Sequence, residues 1–593
     1  MSTNLGPVSG PRPETGVDGS NPGLLRDLDE AVDAFVQPGM TLHVDPSAQA
    51  AVRSLLRVFR GSKPHLTIVA VRAGFVAPDL IQAGLVRKVI CGGLVNPFLR
   101  PTDAASVQLA YEDGSVEFEH WSLYSLVLRL MAGALGWGIV PTRSIAGSTM
   151  AERNKGSFAT LPNPFNDPVD VTVLRPLVPD FSIVHAACST TDGHALFLPP
   201  YEENLWGAKS SKCGVLVVAD QIVDTETARR YPYFAKLPAS RIRAVAEAPW
   251  ASHPYGIASA VPALMGTRDD DVRFLQLYQR AVRDPGRHTD WLQDWVYGVG
   301  SQAEYLAQVA SATRVLDTDR APQPRGGMRD VASVGHAARG TPSESGSSTL
   351  NSVDRIVLAA AKRIAHKVVD EGFDTILVGA GLAATPCIVA YHLLKQMGRR
   401  VQLVSGTGTV DFIPHRRDRD AEFHSAFMLT DTTEAYGVLV GGPPSRSLAL
   451  LSAAQIDRFG NLNTTEIGTR TFLTGSGGAN DAASLATEVM VVTRYRPGRF
   501  VDRVDFVTSP GRRVTSLITD VGVLEKAIGD NELKLKTTFI ADDAGLTVSL
   551  AAFESTGGWR ISISDELVTE PLPSAEDLAV LRLLLPSNDN GGE

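Results

Sequence analysis

The chain has 593 residues, 44 % hydrophobic and 20 % charged, with 56 Lys and Arg against 65 Asp and Glu for a net charge of −9. This length exceeds what one hydrophobic core spans, and the composition excludes a collagen-like or largely disordered chain. The acidic balance leaves no overall excess of cations to displace counterions, so no nucleic-acid partner is expected.

Residues 1–23 are rich in Gly, Pro and Ser and lack the apolar core of a signal peptide, so they read as a disordered tail. The four cysteines, Cys91, Cys188, Cys213 and Cys387, form no CxxC pair. Cysteines so few and scattered fit a reducing, cytoplasmic setting. A first unit spans residues 24–316. Within it Leu66 to Val71 is a continuous apolar run, which predicts a strand buried on both faces. The runs 89–91, 183–187 and 215–219 predict further strands, and apolar spacing predicts helices over 122–135 and 272–282. Asp317 to Ser352 is full of Pro, Gly and Ser and carries almost no large apolar residue. Such a stretch predicts a flexible linker, residues 317–352.

A second unit spans residues 353–586. Val353, Ile356, Val357, Ala360, Ile364 and Val368 line one helical face, with Ser352 as N-cap and Gly372 after the end. A strand at 375–378, a helix and a strand at 401–404 follow, a β-α-β unit with parallel strands. The run from Ile376 to Leu394 approaches membrane-spanning length. It contains Gly379, Gly381, Pro386 and His392, so it reads as strand, turn and helix, and no membrane partner is expected. The predicted fold class is α/β: two open, mostly parallel sheets with helices on both faces, one per half. Ligands of such sheets bind at the carboxyl ends of the strands.

Two glycine clusters stand out. Gly379-Ala-Gly381-Leu-Ala-Ala384 matches GxGxxA, the loose dinucleotide fingerprint, but the next strand ends Leu403-Val404-Ser405 without the acid that would hold a ribose. A close helix–strand turn is the preferred reading. Gly475-Ser-Gly477-Gly478-Ala-Asn480-Asp481 forms either a nest of N–H groups for an oxyanion or a sharp turn before a helix over 482–489 capped by Asp481.

Longer motifs carry a family resemblance. In the second half, Gln455-Ile-Asp-Arg-Phe-Gly-Asn-Leu-Asn463, the segment Gly475 to Ala486, Phe506-Val-Thr-Ser-Pro-Gly511 and Thr519-Asp-Val-Gly522 resemble the β subunit of glutaconate CoA-transferase and related family I CoA-transferases. In the first half, Leu80 to Val89, Val140-Pro-Thr-Arg-Ser144 and Glu247-Ala-Pro-Trp-Ala-Ser-His-Pro254 resemble the α subunit. The resemblance covers nearly all of both halves and implies fused α and β subunits, with an acyl-CoA site between them. Coenzyme A would enter as the acyl-CoA substrate, and a homo-oligomer is possible. In that family a β-subunit glutamate attacks the thioester.

Two departures bear on the chemistry. The nucleophile's triplet reads Val404-Ser405-Gly406, so Val404 stands where the glutamate belongs. The family's GGxxxxRxP loop is replaced by residues 45–51. A branch of ring-opening acyl-CoA hydrolases also lacks the glutamate and uses an acidic residue of the α-like subunit as base. The matching stretch, Val116-Glu-Phe-Glu-His-Trp-Ser122, offers Glu119 and His120 as proton-transfer groups; the bland reading is a solvated turn at a helix start. Gly379, Gly381, Ser405, Gly406, Gly475, Gly477, Gly478 and Asn480 are the candidate oxyanion and CoA-binding positions. His185 in an apolar strand reads as a core histidine, and His253, Asp411 and His415 rank lower as cleft residues. Arg399, Arg400, Arg416, Arg417 and Arg419 read as solvated surface or as attractors of CoA phosphates. No His, Cys and Asp cluster has metal spacing, so no metal is expected. The chain therefore reads as an acyl-CoA hydrolase or ring-opening enzyme, with a transferase using another carboxylate and a non-catalytic acyl-CoA binder as alternatives.

Overall fold

The computed structural model describes residues 24–94, 96, 98–99, 103–165, 169–201, 204–259, 261–313, 351–414, 419–468, 471–528, 530–540, 543–555, 558–571 and 573–584. The expected tail (1–23) and nearly all of the expected linker (317–352) lie outside the described residues, as do His415, Arg416 and Arg417.

The first half is built on seven parallel strands: β1 (Thr41–Val44), β2 (Leu66–Arg72), β3 (Val86–Gly93), β4 (Glu117–His120), β5 (Phe181–Ala186), β6 (Val215–Ala219) and β7 (Ile242–Glu247). They lie in the order β7-β6-β5-β1-β2-β3-β4. The chain runs outward from β1 in one direction and from β5 in the other, so strand order reverses between β1 and β5. Every residue of β6 is buried, as expected where helices cover both faces of a parallel sheet. Helices α1 (Gln49–Val58), α2 (Ala105–Asp113) and α3 (Leu123–Leu135) supply part of that cover. Ser122 caps α3, its side chain accepting from the Ser125 N–H, and Gly136 ends it at φ 69°.

The second half opens with α4 (Ser352–Asp370). Its cap is Asn351, whose side chain accepts from the Asp354 N–H, one residue before the expected Ser352. The second sheet has ten strands: β8 (Thr375–Leu377), β9 (Gln402–Val404), β10 (Thr409–Val410), β11 (Met428–Leu429), β12 (Ser447–Leu451), β13 (Glu488–Val492), β14 (Val514–Ile518), β15 (Gly522–Glu525), β16 (Lys534–Thr538) and β17 (Ser562–Thr569). Their order is β11-β10-β9-β8-β12-β13-β14-β15-β16-β17, parallel from β9 through β14 and mostly antiparallel toward both edges. The reversal falls between β8 and β12, so the two halves share one core topology. Helix α5 (Ala384–Gln396) links β8 to β9. The run from Ile376 to Leu394 is thus strand, turn and helix, and no helix of the described residues is long and apolar enough to cross a membrane.

The halves meet along a hydrogen-bonded seam. Gly93 bridges Gly475, the Leu94 N–H donates to Thr474 O at 2.9 Å, and the Leu123 N–H donates to Gly477 O at 2.9 Å. Gln108 Nε2 donates to Phe472 O at 2.8 Å. Phe472 and Phe506 of the second half are fully buried in the two core clusters that flank the first sheet. Each such ring contributes roughly 1.5–3 kcal/mol of burial.

Candidate active site

The stretch expected as a helix-start turn is instead β4, the edge strand of the first sheet. Alternation along it sends Glu119 and His120 to opposite faces. Glu119 is held by three donors: Lys88 Nζ at 2.7 Å, Trp121 Nε1 at 2.7 Å and Arg129 Nη1 at 3.0 Å. Burial alone would raise its carboxyl, but the Lys88 hydrogen bond and the Arg129 charge outweigh that and hold it below the ordinary value. His120 is 5 % exposed and lies face to face with Phe472, centroids 5.2 Å apart, with Phe506 edge-on at 6.4 Å. Neither ring nitrogen has a hydrogen-bond partner. Burial pushes its pKa down to about 4, so the imidazole is neutral at pH 7. A cleft of about 240 Å³ is lined by Glu119, His120, Met150, Arg153, Asn154 and Ser157 among others. Across the seam Arg153 pairs in a fork with Glu466, which also accepts from Tyr111 Oη.

The carboxyl end of β9 carries no ionisable side chain. Val404 is fully buried in an apolar cluster with Leu377, Val410, Ala435 and Tyr436. Ser405 Oγ pairs with Thr407 Oγ1 at 2.6 Å inside its own turn. Tyr436 wedges between two of the candidate glycines: a Cβ on Gly406 or on Gly478 would collide with its hydroxyl. Burial, with the nearby Asp481, raises the Tyr436 hydroxyl pKa well above the ordinary value. Gly379 sits so close to β12 that a Cβ would strike the Leu450 carbonyl, the close turn that the GxGxxA pattern allows. Gly381 adopts φ +63° and faces open space.

Three of the expected oxyanion donors are already engaged. The Gly475 N–H donates to Thr464 O at 3.1 Å and the Gly477 N–H to Gly92 O at 2.7 Å. Asn480 accepts from the Ile145 N–H at 2.7 Å and donates through Nδ2 to Thr508 O at 2.8 Å. Gly477 and Asn480 thereby reach Gly92 and Ile145 of the first half, while the Gly475 N–H is taken up within the second half.

The expected cap of a helix over 482–489 by Asp481 is also corrected. The helix is α6 (Ala479–Leu485), and 488–492 is strand β13. The Asp481 carboxylate instead caps α3 of the other half, accepting from Ser122 Oγ at 2.5 Å and from the Tyr124 N–H at 2.9 Å. Full burial pushes its pKa up to about 7, against the pull of those hydrogen bonds. Nothing local in the sequence signals this role, since the partners lie more than 350 residues away. His253 is a satisfied core group, with Nδ1 2.8 Å from Tyr305 Oη. Asp411 takes φ +50°, and Arg399 and Arg400 are exposed. No cluster of three or more His, Cys, Asp and Glu fit for a metal occurs among the described residues.

Comparison with known proteins agrees with this architecture. Residues 25–246 match the family model described as Coenzyme A transferase. The chain is 31 % identical over 156 residues to one subunit of the 3-oxoadipate CoA-transferase of Pseudomonas knackmussii, a match covering 23 % of this chain and 58 % of that protein. It is 27 % identical over 299 residues to the other 3-oxoadipate CoA-transferase subunit of the same organism, covering 48 % of this chain and 98 % of that subunit. An acyl-CoA transferase from E. coli O157:H7, solved as a thioester complex with CoA, superposes with a TM-score of 0.62 at 14 % identity, over 92 % of this chain and 95 % of that one, and shows the shared α/β fold. The family-model match in the first half and the relatives of both subunit kinds make the chain similar, over parts of its length, to both subunits of CoA-transferases.

Proposed function

We propose that the chain acts on an acyl-CoA thioester and passes the acyl group to water, by hydrolysis or ring opening, rather than to a second carboxylate. The observation that carries this reading is Val404, buried among apolar side chains where the resemblance calls for the glutamate nucleophile. Valine has no atom that forms a thioester, and Ser405 beside it is engaged with Thr407 rather than with a base. In this reading residues 24–316 and 353–586 act as fused α-like and β-like subunits. The turns at Gly379, Gly381, Ser405 and Gly406 hold part of the CoA moiety, since they lie at the carboxyl ends of β8 and β9.

Of Glu119 and His120, His120 is the better proton acceptor. Its ring borders the cleft, is neutral, and has two buried nitrogens without hydrogen-bond partners, whereas Glu119 is neutralised by Lys88 and Arg129. The water proton passes to His120 as the water oxygen adds to the electrophilic carbon. In hydrolysis the C–S bond then breaks and CoA leaves as the thiol. In ring opening a ring C–C bond next to the attacked ketone breaks, and the carbon left behind takes the proton. Purified protein incubated with straight-chain, β-keto and cyclic β-keto acyl-CoAs, with thiol release and product mass followed together, tests the reading. Free thiol with a new acid, or a ring-opened CoA ester, is expected. Activity that requires an added carboxylic acid would indicate transfer, and acyl-CoA binding with no product would indicate a non-catalytic binder.

A further inference from the structure

The cleft beside His120 holds a cation that proton transfer leaves unused. Glu117, Glu119 and Arg153 are the ionised side chains among the described residues that line it, so Arg153 is the one cation of that lining. Lys88 and Arg129 stand outside the lining and are engaged with its acids. Lys88 Nζ lies 2.8 Å from Glu117 and 2.7 Å from Glu119, and Arg129 Nη1 lies 3.0 Å from Glu119. The Gly477 N–H and the Asn480 side chain are taken up at the seam. At about 30 Å³ per water-sized group, the 240 Å³ of the cleft takes roughly eight such groups, enough for an acyl end and too little for a nucleotide.

Arg153 ends the short helix Thr149–Arg153, and its guanidinium is fixed from the second half. Both terminal nitrogens donate to Glu466, Nη1 to Oε2 at 2.9 Å and Nη2 to Oε1. Tyr111 Oη donates to the same Oε2. The guanidinium carbon lies 4.9 Å from the centroid of the Phe506 ring. The Glu466 side chain is 4 % exposed and that of Arg153 49 %. The acid is thus buried behind the guanidinium, and the cleft meets the cation. The fork uses two of the five N–H donors of the guanidinium, which leaves others for a ligand. His120 is tied to the same place: Asn154 Nδ2 donates to His120 O at 2.7 Å, and the Phe506 ring that carries Arg153 also stands edge-on to His120. A charged donor held this way needs no reorganisation when charge develops beside it.

We propose that Arg153 donates to the oxygen of the carbonyl that water attacks, with Glu466 across the seam as its positioning residue. This role rests on the acyl-CoA reading above. It narrows the substrate to an acyl end small enough for the cleft, whose electrophilic carbon carries a free carbonyl oxygen. In hydrolysis that is the thioester carbonyl, in ring opening the ring ketone. As the C–O bond to water forms, the C=O electron pair moves onto the oxygen, and the guanidinium hydrogen bond strengthens against the new charge. The pair returns as the C–S bond or the ring C–C bond breaks, and Arg153 gives up no proton. A contact that is stronger in the transition state than in the bound substrate raises kcat. The clamp comes from the other half, so the site is complete only with both halves docked.

The test uses the full chain and two CoA thioethers that cannot be hydrolysed: acetonyl-CoA, which carries a ketone, and S-propyl-CoA, its counterpart without the carbonyl. Calorimetry gives both dissociation constants, and the infrared band of acetonyl-CoA labelled with ¹³C at the ketone reports its hydrogen bonding. Wild type is expected to bind acetonyl-CoA about tenfold or more tighter than S-propyl-CoA, with the carbonyl band moved to lower frequency. Arg153→Lys keeps the charge and loses the fork. It is expected to erase most of the preference and of the band shift, with the S-propyl-CoA constant within about threefold of wild type. Glu466→Gln is expected to weaken both part-way, and a band shift unmoved in that variant overturns the positioning role. On any thioester that is turned over, Arg153→Lys is expected to lower kcat about 10²-fold. Equal binding of the two probes by wild type, or an unchanged preference and band shift in folded Arg153→Lys, overturns the assignment of Arg153 and leaves the acyl-CoA reading standing. Binding of neither probe at millimolar concentration overturns both.

Discussion

Replacing Asp481 by asparagine should make the protein progressively more stable than wild type as pH rises. The carboxyl is fully buried at the seam between the halves, with its pKa moved from 3.8 to about 7 by desolvation. For an acid whose folded pKa is raised, the contribution to stability is complete below the unfolded value, near 3.8, and is lost as pH rises through the folded value, near 7. The full displacement corresponds to about 4 kcal/mol, of which about 2 kcal/mol falls between pH 5 and pH 7, with little change above pH 8. Asparagine carries no such penalty and keeps both contacts. Its oxygen accepts from the Tyr124 N–H, and its amide faces Ser122 Oγ, which donates instead to Ser125 Oγ at 2.7 Å. Asp481→Ala removes the acceptor and leaves the buried Tyr124 N–H short of a partner, at about 1–3 kcal/mol, besides the space it opens. Thermal midpoints followed by near-UV circular dichroism at pH 5, 6, 7 and 8 decide the matter. With about 2–4 °C per kcal/mol for units of 150–250 residues, the gap between Asp481→Asn and wild type should widen by about 4–8 °C from pH 5 to pH 7. A gap constant over that range would refute titration of this carboxyl near 7. Equal destabilisation by Asp481→Asn and Asp481→Ala would refute the hydrogen-bond assignment.

Other expectations follow from the same geometry. Arg153→Met should destabilise more than Glu466→Gln, by about 2 kcal/mol or more in urea unfolding, because it strands a carboxylate whose side chain is 4 % exposed, whereas Arg153 is half exposed and can turn to water; the reverse order would refute the pairing account. Glu119→Gln should lower the thermal midpoint with little loss of turnover per folded molecule, while His120→Ala should lower turnover per folded molecule about 10²-fold or more in addition to lowering the midpoint, so full turnover in folded His120→Ala with loss in Glu119→Gln would move the base to Glu119. Val404→Glu places a carboxyl in an apolar cluster at a cost of several kcal/mol, so it should lower the midpoint and give no CoA exchange between carboxylates; exchange in a stable variant would show the site still shaped for transfer. Residues 24–316 and 353–586 produced as separate chains should co-purify through the seam, and independent elution on gel filtration would count against fused subunits.

Much of the fold is legible in the sequence because parallel strands buried on both faces leave continuous apolar runs. The run 215–219 is strand Val215–Ala219, and 66–71 is strand Leu66–Arg72. The helix at 122–135 is legible from its spacing and its Ser122 cap. Glu117–His120 reads as a turn because an edge strand with polar side chains lacks that apolar run; its burial rises from exposed Glu117 to buried His120 only against its neighbours. The glycine-rich segment carries a local signal, its capacity for tight backbone, but not its use. Whether Gly477 offers its N–H to a ligand or to Gly92 is decided by a strand 385 residues earlier. The roles of Asp481 and Glu466 escape the sequence for the same reason: each acquires its partner through tertiary contacts with no spacing rule.

The central claim is that water, not a protein carboxylate, receives the acyl group. Reaction of the thioester that is turned over in H₂¹⁸O, with product acid and intact protein both weighed by mass spectrometry, tests it directly. The account predicts one ¹⁸O per product molecule from a single turnover, no acyl or CoA adduct on the protein, and full activity after borohydride treatment in the presence of substrate. An acyl or CoA adduct that borohydride reduces, with loss of activity, would contradict it and reveal a carboxylate nucleophile.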